Sequence, residues 1–133
     1  GVMNALCLAA KQGVLIRCVL ESSEHETAGQ MTMSSMHEFI TDGLAHTQVY
    51  VWPYEQREKD ENGRIGKLHA KCIVVDNSQA FISSANLTEH ALNLNMELGI
   101  VVRGNNIGKQ ITEHIDLLIS HGVLHRVTEQ KKV

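Results

Sequence analysis

The sequence contains no apolar run approaching the roughly 18 residues that a membrane-spanning helix needs, so a spanning protein is not expected. It contains no Cys-x-x-Cys pair. Cys7, Cys18 and Cys72 are an odd number, each set among apolar residues, which argues against a disulfide scaffold and a zinc ribbon and for a reducing, cytoplasmic setting. Excess positive charge is missing too: 12 Lys and Arg against 15 Asp and Glu give a formal charge of −3. A broadly basic nucleic-acid coat is thereby disfavoured, while one local anion site is not. There is no signal peptide and no initiator Met, the chain opening Gly1-Val2-Met3, as expected of a fragment of a longer protein. Repeats and low-complexity tracts are absent. What is present is 43% hydrophobic residues in 133, enough for one domain with a real core.

Periodicity predicts a helix over residues 2–12, with Leu6, Ala9 and Ala10 on one face and Gly13 as its stop. Val14 to Leu20 is a β-rich apolar run, hence a buried strand, and the short gap between helix and strand suits an α/β domain. A polar loop follows to Gln30. Met31 to Leu44 is expected as a helix whose stripe of Met33, Met36, Phe39, Ile40 and Leu44 is core rather than a binding face. Gln48 to Trp52 is a short strand, and Pro53 to Gly66 is a charged, flexible surface loop. Leu68 to Asp76 and Ala80 to Ser83 form a hairpin about an Asn77-Ser78 turn. Thr88 to Leu92 is a short helical turn, Glu97 to Val102 a strand and Asn105 to Ser120 a helix, with a frayed tail from Glu129 to Val133. The fold class is α/β, a mixed β-sheet flanked by helices.

The chemistry concentrates in residues 67–97, KLHAKCIVVDNSQAFISSANLTEHALNLNME. His69, Lys71 and Asp76 have the spacing H-x-K-x4-D, and Ser83-Ser84-Ala85-Asn86 follow seven residues later. On a strand, residues i and i+2 face one side, so His69 projects with Lys71, and Ser84 with Asn86. A nucleophile or base, a fixed cation, a hydroxyl and an amide together suit a phosphate group: Lys71 as a point charge, Ser84 and Asn86 as neutral donors to its non-bridging oxygens. Asp76 lies at an odd offset from His69 and faces away. It is read as structural, holding the turn through its side chain. Glu97 opens an apolar run, and a carboxylate buried there needs a partner.

The motif and its flanks resemble the phospholipase D superfamily, whose signature is H-x-K-x4-D-x6-G-S-x-N. Every spaced position matches except that Ser83 stands for Gly, where glycine allows close approach or a positive φ. The likeness extends to Ala5–Leu20 and to the segment SSANLTEHALNLNMELGIVV, which is most similar to the phospholipase D-like proteins of bacterial DISARM-type anti-phage systems. It covers residues 1–128 as one domain with a single motif, of phospholipase D/nuclease-like fold. The resemblance implies that Glu97 hydrogen-bonds His69 and sets its tautomer. It implies that His69 attacks phosphorus to form a phosphohistidine, and that a second His protonates the leaving oxygen and then activates water. No metal or other cofactor is implied. It implies, too, that two motifs make one site, so the second comes from a homodimer mate or a missing half. It also implies that a core strand precedes the first helix. If that strand is lacking, Val14–Leu20 leaves one sheet position open.

Three substrate readings follow from the resemblance: a nuclease acting on DNA or RNA, which leads; a non-catalytic nucleic-acid-binding subunit; and a phospholipase or phosphatidyltransferase. Partner proteins of a defence system belong to the first. Other groups stand further from the chemistry. His90, His114, His121 and His125 lack a Lys partner, and His90 is the nearest of them to the cleft. Tyr50, Trp52 and Tyr54 are read as packing before a base-stacking platform. Arg57, Lys59, Arg64 and Lys67 interleave with four acidic residues and read as a solvated loop, while Arg103 is placed at the cleft mouth.

Overall fold

The computed structural model describes residues 2–21, 46–86, 94–104 and 106–127. The polar loop over 22–30, the Met31–Leu44 helix, the Thr88–Leu92 turn with His90, and the tail Glu129–Val133 lie outside the described residues. In chain order the elements are α1 (Val2–Lys11), β1 (Ile16–Glu21), β2 (Thr47–Trp52), a 3-10 turn (Tyr54–Gln56), β3 (Cys72–Val75), β4 (Gln79–Ser83), β5 (Gly99–Arg103), α2 (Ile107–Ser120) and β6 (His125–Arg126). They divide into two compact units, Met3–Leu68 with His121–Val133, and His69–Ser120 with Gly1–Val2. The class is α/β with a mixed sheet, as the sequence predicts. The six strands fall into two three-stranded sheets.

In the first unit α1 ends where the sequence places its stop. Gly13 takes φ +88°, and the Gly13 N–H donates to the Ala10 carbonyl at 2.9 Å and the Val14 N–H to the Ala9 carbonyl at 3.1 Å. Those two bonds are a Schellman motif, which satisfies end carbonyls the helix cannot. Val14 and Leu15, expected in the strand, form an exposed connection instead. β1 runs parallel to β2, from Ile16 opposite Thr47 to Glu21 opposite Trp52, and β6 pairs antiparallel on the other side of β2. β2 is thus central and buries Val49, Tyr50 and Val51. Among the described residues β1 pairs on one side only. Ala10, Ile16 and Val49 form the core, with Leu6, Cys18 and Leu20 packed against it. Burial pushes the Cys18 thiol up.

The charged stretch after Pro53 is folded rather than flexible. Arg57 is buried, at 7% exposure. Its guanidinium carbon lies 5.2 Å from the centre of the Trp52 ring and 5.7 Å from that of Tyr54, and Nη2 donates to the Trp52 carbonyl at 2.7 Å. Cation–π contact and that bond offset the desolvation of the charge. Asp60 then closes a tight turn. Its Oδ1 accepts the N–H groups of Asn62 (2.9 Å) and Arg64 (2.8 Å), and its Oδ2 pairs with Arg64 Nε at 2.6 Å. The Arg64 backbone and side chain hold this carboxyl below the ordinary range.

The second unit is built on the β3–β4 hairpin. Three residues, Asp76 to Ser78, join the paired Val75 and Gln79, one more than the expected Asn77-Ser78; Asp76 and Asn77 have φ of 50° and 55°, and the Ser78 N–H donates to the Val75 carbonyl at 3.0 Å. Two successive left-handed residues make a type I′ turn, whose twist matches that of the strands. The expected side-chain bond from Asp76 to the turn is not seen among the described residues; Asp76 enters the turn through its left-handed backbone. The ladder pairs Cys72 with Ile82 and Val75 with Gln79, and β5 pairs with β4 from Gln79–Arg103 to Ser83–Gly99. α2 begins against the turn. A Cβ on Gly108 would lie 3.0 Å from the carbonyl carbon and oxygen of Asn77, so a larger residue there would have to push the turn back by a few tenths of an ångström. Its face of Ile111, Ile115, Leu118 and Ile119 is half-buried.

Asp76→Val is therefore expected to destabilise the chain by about 1–2 kcal/mol, because a β-branched residue resists φ > 0, while Asp76→Gly leaves stability nearly unchanged. Denaturant unfolding of the two variants checks this.

Candidate active site

The site residues lie at the end of the second unit's sheet away from the turn. Cys72 begins the regular strand, later than the expected Leu68, and Lys71 extends the ladder by one step: its carbonyl accepts the Ser83 N–H at 3.0 Å. On the far side of β4 the Ser84 N–H donates to the Leu98 carbonyl at 3.0 Å, one step beyond the Ser83–Gly99 pair. These two extensions bring Lys71, Ser84 and Glu97 to one edge. His69 stands outside the ladder, exposed, and its ring makes no hydrogen bond among the described residues. The Lys71 ammonium donates to the His69 carbonyl at 3.1 Å, which ties the two motif residues together. Asn86 is exposed two residues beyond Ser84.

The strongest contact is between Ser84 and Glu97. Ser84 Oγ lies 2.5 Å from Glu97 Oε2, while the Leu98 N–H donates to the same Oγ at 3.1 Å. Ser84 Oγ also lies 3.4 Å from the Leu98 carbonyl. A hydroxyl has one proton, and the short contact to an anion takes it. The other carboxylate oxygen, Oε1, accepts from Asn95 Nδ2 at 3.0 Å. The Ser84 hydroxyl, then the Asn95 amide, then the Lys71 charge hold the Glu97 carboxyl below the ordinary glutamate range.

Two expectations change here. Resemblance puts the Glu97 carboxylate on His69. In the structure its oxygens take Ser84 and Asn95, and among the described residues no hydrogen bond joins it to His69. The reason is register: Ser84 is laddered directly to Leu98, the neighbour of Glu97, whereas His69 lies off the ladder. The second concerns Ser83. Its backbone is ordinary strand, with no positive φ, so nothing there requires glycine. Its Oγ accepts the Ala85 N–H at 3.0 Å and stiffens the turn that presents Ser84.

Sequence reasoning missed Asn95. Its signal is the alternation of Leu94, Met96, Leu98 and Ile100, all exposed, with Asn95 and Glu97 between them. The other candidates have partners of their own: Trp52 and Tyr54 pack on Arg57, His125 Nε2 meets the Gly122 carbonyl at 2.9 Å, and Arg103 Nε donates to Gln79 Oε1 at 3.2 Å. Among the described residues no group of three or more His, Cys, Asp or Glu is arranged to hold a metal ion, and no helix is long and apolar enough to cross a membrane.

A family model described as "Cardiolipin synthase, PLD-like domain" matches residues 1–119. The chain belongs to the phospholipase D-like family. Cardiolipin synthase A of Yersinia pseudotuberculosis serotype O:1b (strain IP 31758) is 25% identical over 141 residues, which cover 97% of this chain and 26% of that protein; the same protein of Yersinia pestis gives the same figures. The chain thus spans about a quarter of these curated relatives. Among solved structures, Nuc of Salmonella typhimurium, a phospholipase D family member, aligns with a TM-score of 0.65 at 23% identity, over 96% of this chain and 74% of that one. NucT of Helicobacter pylori aligns with a TM-score of 0.59 at 18% identity, over 90% and 69%. These two likenesses show that the fold is the phospholipase D-like one.

A carboxylate whose proton affinity is lowered by folding stabilises above its unfolded range, and that stability is lost as pH falls through the lowered folded value. Ser84→Ala is accordingly expected to lower the melting temperature at pH 7, with the difference from wild type shrinking as pH drops below the ordinary glutamate range. Thermal melts across pH 2.5–7 measure it.

Proposed function

We propose that this phospholipase D-like unit cleaves phosphodiester bonds in nucleic acid, through a phosphohistidine on His69 and with no metal ion. The observation that carries the reading is the edge where one ladder holds the Lys71 ammonium and the Ser84 hydroxyl, with an exposed His69 tied to Lys71 through its carbonyl. Lys71 and the donors of Ser84 and Asn86 neutralise the charge that develops on the non-bridging oxygens. A nitrogen of His69 attacks phosphorus: the P–N bond forms, the bond to the leaving oxygen breaks, and that oxygen takes a proton from a second His. Water then attacks phosphorus, giving its proton to that His, and the P–N bond breaks. The second His comes from another motif-bearing unit, for which a second copy of this chain across a two-fold axis suffices. The proposal extends to a role in anti-phage defence, supported by the resemblance of Ser83–Val102 to proteins of such systems.

One observation favours phosphatidyl transfer instead. The exposed row Leu94, Met96, Leu98 and Ile100 runs beside Glu97 and offers apolar surface to an acyl chain. The similarity to cardiolipin synthase A points the same way.

The test incubates the full chain with single- and double-stranded DNA, RNA and phosphatidylglycerol vesicles, in EDTA. Cleavage of nucleic acid is expected, falling by about three orders of magnitude in His69→Ala. Turnover of lipid alone would establish the second reading, salt-sensitive binding without cleavage an accessory role, and cleavage that survives His69→Ala would overturn the mechanism.

A further inference from the structure

We propose that Asn95 is a positioning residue of this site: its side-chain amide holds the Glu97 carboxylate and keeps holding it when the Ser84 hydroxyl turns to a bound phosphoryl group. The proposal rests on the reading of Ser84 as a phosphate ligand.

The Ser84 hydroxyl has a single proton, and two acceptors claim it. Without substrate it goes to Glu97 Oε2, at 2.5 Å. A phosphodiester oxygen bound at Ser84 must take the same proton, because it carries none of its own and can only accept, while the Leu98 N–H goes on donating to Oγ at 3.1 Å. Glu97 then loses its strongest donor at the moment an anion arrives. Lys71 acts on Glu97 as well, but a bound phosphate also competes for that cation. Asn95 is not contested in this way. Its Nδ2 is 3.0 Å from Oε1, the oxygen that Ser84 does not use, and its amide makes no other hydrogen bond among the described residues. Facing a carboxylate, the amide must present its NH₂ end, so the assignment of nitrogen and oxygen is fixed by chemistry.

The backbone explains why Asn95 meets Glu97. Over residues 94–100 apolar residues alternate with Asn95, Glu97 and Gly99, so Asn95 and Glu97 share a face two residues apart. Among the described residues β4 brings the neutral Ser84, β5 continues as Gly99 and Ile100, and Lys71 is the charged group that acts on the carboxylate. Asn95 thus keeps Glu97 ionised and aimed during turnover, without itself touching the reacting atoms.

The test follows the Glu97 carboxyl carbon by NMR in the full chain carrying ¹³C-labelled glutamate, assigned with Glu97→Gln. The titration is run with and without saturating sulfate, a tetrahedral anion whose charge is constant over the range. Wild type, Asn95→Ala and Asn95→Asp are compared. The Glu97 midpoint is expected to rise in Asn95→Ala, by more with sulfate than without, and to rise most in Asn95→Asp, where a second carboxylate stands beside it. Cleavage by Asn95→Ala is expected to fall on the order of tenfold, the scale of losing a group that holds a functional side chain, with its acid limb displaced to higher pH. Midpoints equal to wild type in Asn95→Ala would overturn the proposal. A rise that sulfate does not enlarge would overturn its second half, that Asn95 takes over when Ser84 leaves. The midpoints decide this even if no substrate is cleaved, and unmoved midpoints with intact cleavage would remove Asn95 while leaving the phosphodiesterase reading.

Discussion

The register of the β3–β4 hairpin is the constraint on which the site depends. The left-handed pair Asp76-Asn77 starts a three-residue connection, Asp76 to Ser78, between the paired Val75 and Gln79, so Lys71 meets Ser83 and no other residue. β5 adds to the same ladder, and Ser84 meets Leu98. Sliding either strand by one residue would turn every side chain to the opposite face. The acidic residue of the motif therefore acts at a distance from the chemistry: it fixes the pairing that brings the ammonium, the hydroxyl and the carboxylate to one edge. α2 reinforces this, since Gly108 lets its first turn lie directly on Asn77.

From that pairing follows an electrostatic arrangement that does not need a basic surface. The chain is formally −3, yet the edge holds a cation, Lys71, beside a carboxylate whose own charge is shared among a hydroxyl, an amide and that cation. On the proposed reading, a phosphate reaching the site would meet donors already aligned by backbone pairing, the preorganisation that charge-developing reactions reward, and would compete for the Ser84 proton, linking substrate binding to the hydrogen bonding of Glu97.

Much of this was legible in the sequence because it is local. The β-rich run to Val75 and the run Ala80–Ser83 report a hairpin, although His69, Lys71, Ser84 and Asn86 lie beyond its regular strands. Gly13 announces the end of α1. The partners of Glu97 were less legible: resemblance points to His69, whereas strand register delivers Ser84, and register depends on a turn one residue longer than expected. Arg57 was hidden for a related reason. A charge run looks solvated unless one knows that Trp52 and Tyr54 fold around one of its members. Asn95 was obscured by its company, since an alternating apolar row draws attention to its hydrophobic members.

The central claim is that His69 carries the phosphoryl group. It is tested most directly by quenching the full chain in alkali during turnover of a short labelled oligonucleotide and mapping the adduct by peptide mass spectrometry. The account predicts an acid-labile, alkali-stable phosphoryl adduct on the peptide bearing His69, absent in His69→Ala. An adduct on any other residue, or one unchanged in His69→Ala, would contradict it.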